Sequence, residues 1–175
     1  MLNKVKKINT KGFTIIEVMI VLAIAALILL IVFLAIPALQ RNARNTSRKS
    51  DVAALLAAVN EFTNNNNAQL PNSCSGTNPV TITQTGGSPT SSEAKVGYFN
   101  KSCVTSGATA GQIQLDGAYA STGGFNTAAQ DYVEIVPAAG CAAGGKTTSG
   151  SAKQFAAVYE IENGTNSYAP VCTAS

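Results

Sequence analysis

The chain has 175 residues, a formal charge of +3 and only 12% charged side chains. That is not the basic footprint of an ordinary nucleic-acid binder. It has no histidine, which excludes Ser/His/Asp and Cys/His catalytic sets, and its four cysteines (Cys74, Cys103, Cys141, Cys172) are too widely spaced for a zinc motif. Neither composition nor any motif points to an enzyme, a cofactor or a metal site.

Taken from the N-terminus, Lys4, Lys6, Lys7 and Lys11 precede a run of 19 consecutive apolar residues, 18–36. Without the first twelve residues the chain holds 8 basic and 9 acidic side chains, close to neutral. The run has the length of a membrane-spanning helix, about 20 residues for a core of roughly 30 Å. It exceeds the 7–15 residues, roughly, of a secretory h-region, and no small-x-small cleavage site follows it. Glu17 stands at its mouth, where a carboxylate is costly in lipid and calls for a function. Arg41, Arg44, Arg48 and Lys49 follow the run, so flanking charge does not fix its orientation. The even cysteine count implies an oxidising compartment and places the C-terminal part outside.

The helix is expected to continue past the membrane, bending at Pro37. Residues 51–62 carry Val52, Leu55, Leu56, Val59 and Phe62 on one face, the stripe of an amphipathic helix. The asparagine run 64–67 reads as its end. From 13 to about 64 this is one helix of roughly 75–80 Å. Arg41, Arg44 and Arg48 recur at helical spacing, with Asp51 three residues on. One reading is a solvated flank with an (i, i+3) pair. Another is a basic stripe meeting acids such as Glu61 on a staggered neighbour, and a DNA contact is a weaker third.

Residues 68–175 are rich in Gly, Ser, Thr, Asn and Ala. Turn chemistry predicts loops over 72–95 and 140–152. Short strands are predicted at 112–115, 131–136, 155–161 and 168–172, with a turn around Asn163-Gly164. So few strands cannot bury a sufficient core alone; the amphipathic half-helix supplies the missing face. Two disulfides then restrain the loops. Of three possible pairings, sequence order makes Cys74–Cys103 with Cys141–Cys172 the simplest. Asn45-Thr46-Ser47 and Asn163-Gly164-Thr165 fit the glycosylation pattern, which chance supplies readily.

Lys11-Gly12-Phe13-Thr14-Ile15-Ile16-Glu17, opening an apolar helix behind a basic leader, resembles the processing signature of type IV prepilins and their relatives. The resemblance covers residues 1–64 and extends to the rest only in general plan. It implies an α+β, type IV pilin-like fold: a long N-terminal helix on a small antiparallel sheet. It divides the chain into a leader (1–12), a membrane and assembly helix (13–37), the amphipathic half of that helix (38–66) and an extracytoplasmic domain (67–175). It further implies cleavage between Gly12 and Phe13 by a prepilin peptidase and N-methylation of Phe13. Glu17 is then expected to pair with the Phe13 ammonium of a neighbouring subunit. The implied partners are further copies of this chain, the peptidase, a pilus assembly platform and the inner membrane, with nucleic acid undecided. The implied location is the cytoplasmic membrane before assembly and a surface filament for adhesion, twitching motility or DNA uptake afterwards. Many such helices carry an internal glycine and proline; here Ala26 and Leu34 fill the middle of the run, leaving Pro37 as the candidate hinge. The rival readings are a type II secretion pseudopilin or minor pilin, and a single-pass anchored binding domain that never polymerises.

Overall fold

A computed structural model describes residues 12–86, 89–115, 131–151, 153–164 and 167–175. The expected leader, apart from Gly12, lies outside the described residues. The first compact unit runs to Gln40, the second from Arg41 to Ser175. Helix α1 (Ile15–Asn65) contributes to both.

In the first unit every described residue is exposed, Pro37 lies inside the helix, and the helix is long and apolar enough to cross a membrane. Among the described residues nothing covers its apolar side chains.

In the second unit α1 becomes amphipathic. Val52, Leu55, Leu56, Val59 and Phe62, the five residues of the expected stripe, are all buried in the main core. The helix stops where the asparagines begin. Asn67 and Ala68 adopt left-handed φ of 55° and 63°, and the Ala68 N–H donates to the Thr63 carbonyl at 2.8 Å. That six-to-one bond with a left-handed asparagine satisfies a terminal carbonyl.

Ten strands follow. A three-stranded antiparallel sheet joins β1 (Ser73–Ser75), β2 (Val80–Thr83) and β3 (Ser92–Ala94) in that order. It turns Val80, Ile82 and Ala94 into the core, and Ser92 Oγ donates to the Ala58 carbonyl of α1 at 2.6 Å. The expectation of a loop over 72–95 is therefore corrected. Val80-Thr81-Ile82-Thr83 does alternate with a period of two, but over only four residues.

The main sheet comprises β4 (Cys103–Val104), β5 (Ile113–Leu115), β6 (Val133–Pro137), β9 (Phe155–Gly164) and β10 (Ser167–Ala174), ordered β10-β9-β6-β5-β4. Its β10-β9 and β9-β6 pairings are antiparallel, and the β5 and β4 edge is added in parallel. The architecture is thus α+β, one long N-terminal helix packed on mainly antiparallel sheets, with a parallel edge that the sequence did not suggest. Asn163 and Gly164 end β9, with Gly164 opposite Ser167; residues 165–166 of that turn lie outside the described residues.

A second loop expectation, 140–152, is also corrected. Here β7 (Ala139–Ala142) and β8 (Lys146–Ser149) form a hairpin. Gly144 and Gly145 supply the left-handed turn, with φ of 74° and 70°. The hairpin explains β9. Phe155, Ala157 and Tyr159 face the helix side, while Ala156 packs with Val136, Ala139 and Cys172 on the other. Both faces are covered, so residues 155–160 are buried without interruption.

The structure joins Cys74 to Cys103 and Cys141 to Cys172, each pair with Cα atoms 5.6 Å apart. Both links run between sheets: β1 to β4, and β7 to β10.

Candidate functional site

Two groups of residues stand out: the start of α1, and an ionic cluster that locks its second half to the sheet. At the start, Gly12, Phe13 and Thr14 precede the first helical turn, and Phe13 is 83% exposed. The Thr14 amide and hydroxyl donate to Glu17 Oε2 at 2.9 and 2.6 Å, and the Glu17 amide donates back to Thr14 Oγ1 at 3.4 Å. This is a reciprocal capping box. It satisfies two groups at a helix start that would otherwise be orphaned. It gives Glu17 a local partner besides any partner on a neighbour, and it leaves Oε1 without a hydrogen bond among the described residues. The signal was the spacing Thr-x-x-Glu, which the sequence reading passed over.

The second group is built around Arg48, 1% exposed. Its Nη2 donates to Tyr98 Oη at 2.6 Å and to Asp131 Oδ1 at 2.5 Å, and lies 3.3 Å from Glu162 Oε1. Tyr98 in turn donates to Asp131 Oδ2 at 2.6 Å. The guanidinium carbon sits 4.5 Å from the centre of the Tyr98 ring and 5.9 Å from that of Tyr168. One turn earlier, Arg44 grips Glu162 with both arms of its fork, at 2.6 and 2.5 Å. Asn45 completes the clasp: its amide donates to the Glu162 carbonyl and accepts from the Glu162 amide, each at 2.9 Å. With both amide atoms engaged, Asn45 is not a free glycosylation acceptor in the folded chain.

For Arg48 this geometry corrects both the solvated flank and the outward stripe, while Arg44 stays exposed but is paired within its own chain. Arg48 does not pair with Asp51. Asp51 is buried and accepts the amides of Gly97, Tyr98 and Phe99 at 2.9, 2.6 and 3.0 Å, pinning that loop to the helix. Nor do Arg44 and Arg48 form an outward basic stripe. Their acidic partners lie 83 to 118 residues away in sequence, where no local pattern reveals them.

The acids of the cluster are tuned in opposite directions. The Arg44 hydrogen bonds hold the Glu162 carboxyl below its usual value near 4.5, so its contribution is present above that value and is lost as pH falls through the depressed one. Burial pushes the Glu160 carboxyl up, against the pull of Arg48. Its Oε2 has no hydrogen-bond partner among the described residues. Glu160 therefore opposes folding at neutral pH, and that penalty fades as pH falls. Glu160→Gln is expected to hold or raise the thermal midpoint at pH 7, whereas Glu162→Gln lowers it; the reverse order in thermal unfolding of the two variants would refute this assignment. Burial, and then the Asp131 hydrogen bond, push the Tyr98 phenol up to about 12, so its hydroxyl remains a donor.

A long helix, apolar and uncovered in its first half, with a second half clasped to a small disulfide-linked sheet domain, defines a type IV pilin-like architecture. Residues 7–33 match the prokaryotic N-terminal methylation motif, the signature of type IV prepilins and pseudopilins. That segment holds Gly12, Phe13, Glu17 and most of the apolar run. Neither curated proteins nor solved structures give a match to the chain.

Proposed function

We propose that this chain is the precursor of a structural subunit of a type IV pilus. A prepilin peptidase removes residues 1–12, the new Phe13 amine is methylated, and the mature chain polymerises through its N-terminal helix. The single observation that carries this reading is Gly12-Phe13 followed by a capped Glu17 at the head of an uncovered apolar helix, within the matched motif. Glycine before the scissile bond presents no side chain to the peptidase. Burying one Leu or Ile side chain is worth about 1.5–3 kcal/mol, so a helix of exposed ones requires lipid first and neighbouring helices later. The spare Oε1 of Glu17 allows it to cap its own helix and still accept a neighbour's Phe13 ammonium. An unpaired charge in such an apolar bundle is strongly disfavoured, so the pair sets register. Pro37 is the point where the helix bends as it leaves the bundle. The domain beyond it forms the solvated outer surface, and the two disulfides suit that exposure.

The test is intact mass and N-terminal peptide mapping on sheared surface material. The expected species begins at Phe13, one methyl group heavier, and is abundant in filaments. A chain retaining residues 1–12 and found only in membranes would mean a plain anchor. Correct processing with little material in the sheared fraction would mean a pseudopilin or a minor subunit.

A further inference from the structure

The clasp leaves an outer surface on α1 that none of the described residues covers. Between Lys49 and Glu61 the exposed helix residues are Ser50, Ala53 and Ala57. Lys49 and Glu61 themselves are exposed and have no ion-pair partner among the described residues, unlike Arg44, Arg48 and Glu162. They are twelve residues apart on one helix, about 18 Å along the axis. That is well beyond the screening length of about 8 Å at physiological salt, so they do not satisfy each other. At 3.6 residues per turn they also point about 120° apart around the axis. The two lone charges thus have opposite sign, different height and different flank.

We propose that this surface takes a second copy of this chain, with Lys49 of one subunit against Glu61 of the next. The inference rests on the filament reading. Subunits drawn from one membrane keep their helices parallel, which excludes a two-fold, antiparallel pairing. With parallel helices, opposite charges on different flanks are met by one operation, a rotation combined with a shift of about 18 Å along the axis. A head-to-tail contact of that kind does not close on itself and generates an open helical polymer. Ala53 and Ala57 put nothing beyond Cβ between the two charges, so a neighbouring backbone approaches closely. This neighbour differs from the one whose Phe13 meets Glu17, because four helical residues span only about 6 Å.

Two measurements on the full-length protein test the contact. Zero-length carbodiimide coupling of wild-type sheared filaments, followed by peptide mapping, is expected to yield an intersubunit Lys49–Glu61 amide. Separately, Lys49→Glu and Glu61→Lys are each expected to reduce sheared filament at least about fivefold, while the double variant restores it. Both positions are exposed, and an unchanged thermal midpoint establishes that the single variants fold. Single variants that assemble like wild type, or a double variant no better than the worse single, would overturn the proposal while leaving the filament reading intact. Wild-type protein that forms no filament would remove both.

Discussion

Arg48→Met should lower the thermal midpoint of the mature chain in detergent by about 10 °C. Removing one partner from a buried ionic group typically costs about 3–5 kcal/mol, because the remaining charges stay buried and unpaired. A domain of this size shifts by about 2–4 °C per kcal/mol. Here the loss leaves Asp131 with the Tyr98 hydroxyl but no cation, removes the second contact to Glu162, and deprives the Tyr98 hydroxyl of its cationic donor. It also removes the cation from beside the Tyr98 and Tyr168 rings. Arg48→Lys should recover little, since an ammonium neither forks nor stacks as a guanidinium does. Circular dichroism melts would measure both. A midpoint within about 2 °C of wild type for Arg48→Met would show that the cluster is not what fastens helix to sheet.

Glu17→Ala should eliminate surface filaments while cleavage after Gly12 proceeds. The capping box complicates the interpretation, because alanine removes the cap together with the charge. Glu17→Gln separates them. Glutamine keeps an acceptor for Thr14 and serves equally well in such a box, but it carries no charge for a neighbour's ammonium. If the charge governs assembly, Glu17→Gln fails like Glu17→Ala. If the cap governs it, Glu17→Gln assembles, and Thr14→Val becomes the defective variant. Immunoblots of the sheared fraction, with precursor and mature forms resolved by mass, give the result. Normal filaments from Glu17→Gln would refute the intersubunit pair.

What the sequence revealed was local. The buried stripe from Val52 to Phe62 repeats at the helical period and needs no knowledge of the partner. The apolar span is a matter of length and composition, and strands β5, β6, β9 and β10 lie in continuous apolar or alternating runs. The misses have two sources. Some signals were present but short: Thr-x-x-Glu at 14–17, the four-residue alternation of β2, and the Gly144-Gly145 turn between the small residues of β7 and β8. Others were absent from any window. Arg48 looked like a surface residue because its acids are supplied by segments far down the chain. Asp51 looked like its partner because the loop amides it binds carry no sequence signature. The parallel edge of the sheet depends on how distant segments stack, to which residue type is indifferent.

The clasp has a consequence for the order of events during export. One of the residues that fasten α1 lies far down the chain: Glu162 meets Arg44 across 118 positions. On the proposed pilin reading the helix enters the bilayer before Glu162 can reach it. Contacts of such long range form slowly, since a large loop must close before any of them is made. Until β9 is in place, Arg44 lacks the carboxylate that it grips. On that same reading, the interval between membrane entry and closure of the Arg44–Glu162 contact is when the subunit is most exposed to proteases and to premature association.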